Sequence, residues 1–274
     1  MRHLGARSFA ALAALAGLSA IGCAGPQRVN PSFNISSQDA EQQIELMRQK
    51  PKQLERPLVI LGGIGDLGAG PWRMRREIES TFSGRALTVV YPFASNFEQC
   101  RREVVEAVDR AFGVVSDEET VEVDVVGQSM GGVVALHAAM SDPALGKRLR
   151  IRRLYTISSP LNGSRGANAF AWASPIQLHR DLRSDSELQK RLHRQDFKFE
   201  IVSYSRLNDD TVGAPFAYLP DARGVWWVDN PPFENAHAGC FDDARIVGDI
   251  ARRLRRERPF TTGTPAPLPE EELR

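Results

Sequence analysis

Apolar and polar positions follow two rhythms along this chain. Short apolar runs, rich in β-branched residues, fall at 57–61, 86–90, 121–126, 151–157, 198–204 and 224–228. Runs of that length and composition read as strands. Helical stretches separate them. Strand and helix therefore alternate, which is the pattern of an α/β chain with a mostly parallel sheet and helices on both faces. Gln38 to Lys50 reads as an amphipathic or exposed helix ahead of the first core strand. The interval from Arg165 to Gln195 is too long for a plain connection, and its Ala, Phe, Trp and Leu mixed with charge suggest a small lid insertion; a packed crossover helix is the alternative. No internal repeat is present. The stretch from Pro259 to Arg274 is rich in Pro, Thr and Glu, a composition that predicts a disordered tail.

One strand-to-helix junction carries chemistry. Gly127-Gln128-Ser129-Met130-Gly131 lies between the strand-like Glu122 to Val126 and a helix-forming stretch from Gly132 to Ala139. A bare G-x-S-x-G is common, but in this context it reads as a nucleophile elbow, with Ser129 raised at the top of the sheet. The flanking glycines are needed because side chains there would collide with the neighbouring strand and helix. The Met130 N–H would then point at the reacting carbonyl oxygen. A Gly-rich turn whose serine only caps the helix is the plainer alternative.

A serine of this kind needs a base and an acid, and in the α/β-hydrolase order the acid comes next and the histidine last. His3 lies in the leader, His137 in the helix after the elbow, and His179 and His193 in a charged stretch before the next strand. His237 alone comes late enough, in the small-residue loop Asn235 to Gly239. The acid belongs at the end of the preceding strand, where Asp209 and Asp210 compete. Asp210, followed by Thr211-Val212, has the spacing that turns a carboxylate back toward the histidine and is preferred; Asp209 is second and Asp229 a distant third. The loop Gly62 to Gly65 after the first core strand supplies Ile64 as the second backbone donor, beside Met130, for the oxyanion of a tetrahedral intermediate.

Residues 63–68 also satisfy G-x-G-x-x-G, so a dinucleotide site must be weighed. That fingerprint requires an acidic residue about 20 positions on, at the end of the next strand. Ala86 to Val90 runs instead into Tyr91-Pro92-Phe93, and Pro71 falls where a phosphate-capping helix should be under way. No cofactor and no metal is called for.

Four segments in order resemble the α/β-hydrolase superfamily, and within it bacterial lipases and esterases. They are Leu61 to Gly65, similar to the oxyanion loop of those lipases; Gly127 to Gly132; Thr156 to Ser164, similar to a T-P-x-x-G-S strand end; and Arg180 to Leu188, similar to a D-L-x-x-x-S stretch. Gly62 and Gln128 stand where those lipases usually carry histidine, and neither is a triad position. The resemblance implies an α/β-hydrolase fold and a serine hydrolase acting on acyl esters or lipids through Ser129, Asp210 and His237. A thioesterase or acyltransferase would use the same residues. A lipid-anchored scaffold that keeps the fold without turnover is the reading from a different class.

With 274 residues, 42% of them hydrophobic, and a formal charge of +1, the chain suits one sizeable α/β domain, placed at 57–258, and no nucleic-acid partner. Arginine clusters at 148–153 and 252–256 read as solvated faces. The first residues, Met1 to Arg7, are basic, and Phe9 to Ile21 form an apolar stretch too short to span a bilayer comfortably, so residues 1–22 read as an export signal. Ala20-Ile21-Gly22-Cys23 resembles a lipobox, which makes Cys23 the lipid attachment site and residues 23–56 a tether followed by the N-terminal helix. Localisation then follows as an exported, membrane-anchored lipoprotein; Ala24, which is not aspartate, favours the outer membrane. A freely secreted protein with an ordinary cleaved signal is the alternative. Cys100 and Cys240 remain as mature thiols, with two buried free thiols favoured over a disulfide.

Overall fold

The computed structural model describes residue 30, residues 32–65 and residues 69–273. The expected export signal at 1–22 and Cys23 lie outside the described residues, as does the 66–68 part of the glycine-rich loop.

The strands are β1 (Lys52–Gln53), β2 (Leu58–Leu61), β3 (Phe82–Ser83), β4 (Ala86–Val89), β5 (Val123–Gln128), β6 (Ile151–Ile157), β7 (Glu200–Arg206) and β8 (Trp226–Val228). Six of them form one sheet in the order β4-β2-β5-β6-β7-β8, parallel at every pairing, while β1 and β3 make a separate parallel pair. The helices are α1 (Ser37–Gln49), α2 (Ala69–Glu79), α3 (Phe97–Phe112), α4 (Met130–Ala139), α5 (Arg165–Phe170), α6 (Gln177–Asp181), α7 (Glu187–His193), α8 (Ala236–Gly239) and α9 (Ala244–Leu254). This is the mostly parallel sheet with helical cover that the apolar runs predict.

Alternation within β2 shows why both faces are buried. Leu58 and Ile60 point into a core with Ile44 and Met47 of α1, Met74 and Ile78 of α2, and Ile246 and Ile250 of α9. Val59 and Leu61 point the other way, toward Val104 and Val108 of α3 and Val133 and Leu136 of α4. All four β2 side chains have no exposed surface. Successive residues of a strand face opposite sides, so only a wholly apolar strand can sit between two helical layers. Ser36 and Asn96 start α1 and α3 by accepting the N–H groups of Asp39 and Gln99.

The strand order reverses at β2, with β4 on one side and β5 on the other. Crossovers that leave in opposite directions open a crevice at the carboxyl ends of these strands, and Ser129 follows β5 there.

Two regions depart from the sequence expectation. The segment at 259–273, expected to be disordered, packs along the β8 side of the sheet. The Thr261 N–H donates to Asp249 Oδ1 at 2.9 Å, the Thr262 N–H to the Ser32 carbonyl at 3.0 Å, and Trp227 Nε1 to the Ala266 carbonyl at 3.1 Å. Composition measures how much apolar area a segment can bury alone; here the segment is ordered by hydrogen bonds to Asp249 of α9, to the Ser32 carbonyl and from the Trp227 side chain. With α1 built into the core, the folded unit extends past 57–258 at both ends. The insertion at 165–195 holds α5, a 3-10 turn at Ala171–Ala173, α6 and α7. Leu188 and Leu192 of α7 join the core, as a packed crossover requires, whereas Phe170 and Trp172 are exposed. Cys100 and Cys240 are both free and buried.

Candidate active site

The β5–α4 junction is a sharp reversal. Ser129 has φ 50° and ψ −126°, a strained conformation for a residue bearing a side chain. Two glycines make it sterically feasible. A Cβ on Gly127 would lie 2.5 Å from the Gly132 Cα, and one on Gly131 would run into the Leu61 carbonyl inside van der Waals contact. The Ser129 N–H donates to the Ile157 carbonyl at 2.9 Å, so the turn is tied to β6 as it leaves the sheet.

His237 lies in α8, a single turn capped by Asn235, whose side chain accepts the Ala238 N–H. Its Nε2 is 3.1 Å from Ser129 Oγ, and its Nδ1 is 2.9 Å from Asp209 Oδ2. A carboxylate can only accept, so Nδ1 carries the proton, and Nε2 is left to accept from the serine hydroxyl. The ring also meets Phe241 edge-on, with centroids 5.3 Å apart.

The acid on the imidazole is Asp209. Asp210, the residue favoured by the sequence, faces solvent with 91% of its side chain exposed, 3.4 Å from Arg165. The reason is local. Asp209 follows Asn208, whose φ of 59° reverses the chain, and its Oδ1 accepts the N–H groups of Thr211 at 2.9 Å and Val212 at 3.0 Å. One aspartate thus makes the turn and faces the histidine at once. The turn sends its successor outward. Asp209 has no exposed surface; burial pushes its carboxyl up, but the hydrogen bond and electrostatic attraction of the His237 imidazole, with the Val212 N–H, outweigh that and hold it below the usual carboxylate range. Asp229, the third candidate, is paired with Arg245.

The expected oxyanion loop runs beside the serine. The Gly62 N–H donates to the Val89 carbonyl at 3.0 Å, and the Gly62 carbonyl accepts the Tyr91 hydroxyl. A Cβ on Gly63 would come within 3.2 Å of the Ser129 Cβ. Ile64 is next, with its side chain partly exposed, and Met130 is the first residue of α4. First-turn N–H groups have no intrahelical acceptor, so the helix start supplies a donor beside Ser129.

Two further residues at the site, Arg206 and Glu272, carry no motif in the sequence, and a third, Ser158, lies within the Thr156 to Ser164 segment without being singled out there. Arg206, at the end of β7, is 5% exposed and donates to Glu234 Oε2 at 2.7 Å, Asn230 Oδ1 at 3.2 Å and Asp243 Oδ2 at 3.0 Å. It lies under α8 so closely that a Cβ on Gly239 would collide with its guanidinium. Ser158, at φ 44°, is buried at the end of β6 beside Asp209 and Cys240. Glu272 reaches the acid turn from the far end of the chain. Among the described residues no group of His, Cys, Asp and Glu is arranged to hold a metal ion.

No protein-family model and no curated protein matches the sequence. Solved structures do match in shape. A gene product of Listeria innocua superposes with a TM-score of 0.52 at 12% identity, over 74% of this chain and 95% of its own. The mature form of the Bacillus licheniformis lipase BlEst2 gives 0.52 at 14% identity, over 78% and 95%. Identities that low speak to architecture and not to activity, and the architecture is plain: the chain has the α/β-hydrolase fold.

Proposed function

We propose that this protein is an exported serine hydrolase that cleaves carboxylic esters of acyl chains, lipase- or esterase-like, through Ser129, His237 and Asp209. The observation that carries the reading is the continuous relay from Ser129 Oγ to His237 to a buried Asp209, at 3.1 and 2.9 Å, with the serine on a strained elbow. In the proposed cycle Ser129 Oγ attacks the ester carbonyl while His237 Nε2 takes its proton. Asp209 keeps the proton on Nδ1 and stabilises the imidazolium without becoming protonated. The peptide N–H groups of Ile64 and Met130 face the negative charge that develops on the carbonyl oxygen only in the tetrahedral state, so they lower the barrier instead of tightening ground-state binding. His237 then gives the proton to the departing alcohol, and water, activated by the same imidazole, releases the acyl group from Ser129.

Covalent labelling by a fluorophosphonate tests the core of this reading. Wild type should label and Ser129→Ala should not; equal labelling, or none with the folded wild type, would sink it. Nitrophenyl esters of increasing chain length, run beside thioesters of the same acyl groups, identify the acyl length and the leaving group. A lid role for residues 165–195 belongs to the same proposal, supported by the exposed Phe170 and Trp172, and it predicts higher turnover on dispersed long-chain esters than on soluble short ones.

Attachment to a membrane through Cys23 completes the proposal, motivated by the lipobox-like Ala20 to Cys23. Several acyl chains, at about 0.8 kcal/mol per buried CH₂, would make attachment permanent where one chain would not. Detergent partitioning of wild type against Cys23→Ser is the check. Two soluble proteins would leave a freely secreted hydrolase.

A further inference from the structure

The acid turn is held from an unexpected direction. Leu207, just after β7, donates its N–H to the Val228 carbonyl at 2.9 Å, which ties the chain to the sheet for the last time before the turn. Asn208 follows in the left-handed region at φ 59°, where asparagine is tolerated better than most residues. Its N–H donates to Glu272 Oε1 at 2.7 Å. Beyond it Asp209 closes on the Thr211 and Val212 N–H groups, and the carbonyls of those two residues accept from Gly166 and Arg165. Asn208 is thus the link between the sheet and the turn, and a carboxylate from the far end of the chain grips it.

Glu272 is only 4% exposed while Asn208 is open to solvent, so the carboxylate is held within the protein and meets the turn at its surface. Neighbouring contacts keep it there. Arg165 Nη2 donates to the Glu272 carbonyl at 3.4 Å, the Glu272 N–H donates to the Pro269 carbonyl at 3.0 Å, and Leu268 packs on the small cluster of Val212, Ala217 and Val225.

We infer that Glu272 is a positioning residue for the acid of the relay: by holding the Asn208 peptide it sets the orientation in which Asp209 meets His237. The inference rests on the serine hydrolase reading for its kinetic consequence, and on geometry alone for its structural one. What Glu272 supplies is an acceptor at a fixed reach. Glutamine keeps that acceptor, leucine removes it, and aspartate keeps the charge but falls one methylene short.

Two readouts on wild type, Glu272→Gln, Glu272→Leu and Glu272→Asp test it. The first is the downfield proton resonance of the His237 Nδ1–H bonded to a carboxylate, assigned by its loss in Asp209→Asn. It should persist in wild type and Glu272→Gln and move upfield or vanish in the other two. The second is ester hydrolysis, where Glu272→Leu and Glu272→Asp should lose about tenfold in kcat with KM within about twofold, and Glu272→Gln should match wild type. Should Glu272→Leu fail to fold, Glu272→Asp decides. An unchanged resonance in a folded Glu272→Leu or Glu272→Asp overturns the inference, and so does a Glu272→Gln as impaired as the leucine variant. Absence of fluorophosphonate labelling in wild type would instead count against the hydrolase reading, and the resonance would still decide for or against the positioning role.

Discussion

Ser129 sits in a backbone conformation that a side chain normally avoids, and its neighbours are chosen around that fact. Gly131→Ala would place a methyl group against the Leu61 carbonyl, and because both partners are backbone neither can move aside. A loss of about 3 kcal/mol or more in urea unfolding is expected, or no soluble protein at all. The two aspartates offer a sharper contrast. Asp209→Asn should lower kcat by about 10⁴, since an amide in that place favours the wrong imidazole tautomer, while Asp210→Asn should stay within about twofold of wild type. Titration follows from the hydrogen bonds that Asp209 accepts. Asp209 is held below the ordinary carboxylate range in the folded protein, so its stabilising contribution is complete above that range and is lost as pH falls through the lowered value.

Among the elements, α8 is too short to hold its place alone. A four-residue helix has almost no intrinsic stability, and its position comes from what lies beneath it. Arg206 provides that support, joining β7 to Asn230, Glu234 and Asp243 on the segment that carries His237. Burial raises the Asp243 carboxyl, but Arg245 and Arg206 together hold it below its ordinary range, so it remains charged inside the protein. Arg206→Met removes one of two cationic partners from a buried anion. It should cost about 3 kcal/mol in thermal or urea unfolding, and should lower kcat more than it raises KM because His237 loses its seat. Equal changes in kcat and KM with unaltered stability would show that α8 is held by other contacts.

For the whole molecule, acid stability should be lost in two stages. His137, inside α4 and 2% exposed, is pushed down to about 4, by burial first and by the charges of Arg101 and Arg191 next. An unfolded histidine titrates near 6.5, so between that pH and about 4 the unfolded chain binds more protons, and stability falls as pH falls. The full window corresponds to ~3 kcal/mol. Below it the depressed carboxylates of Asp209 and Asp243 protonate in turn. Urea unfolding at pH 7, 5.5 and 4 should show the first stage, and in His137→Leu the slope over that interval should flatten; an unchanged slope would mean that the group does not titrate on unfolding.

The chain by itself determined the layers of the fold and the place of Ser129 at the sheet edge. An apolar run such as 58–61 cannot be exposed on either face, which forces a strand between helices, and a serine between Gly127 and Gly131 at a strand-to-helix junction fits the tight turn found there. His237 was legible for the same kind of reason, as the one histidine in a late small-residue loop. Tertiary structure decided the rest. Asp209 and Asp210 are adjacent and chemically equal, and only the reversal at Asn208 determines which one turns inward. The tail from 259 lacks the apolar content to fold alone and is ordered by distant partners such as Asp249 and Trp227. Arg206 and Glu272 act across 37 and 64 residues of chain, to Asp243 and Asn208 respectively. Periodicity and spacing report what a segment can bury locally; which distant side chain satisfies a buried polar group is settled only when the chain has closed around it.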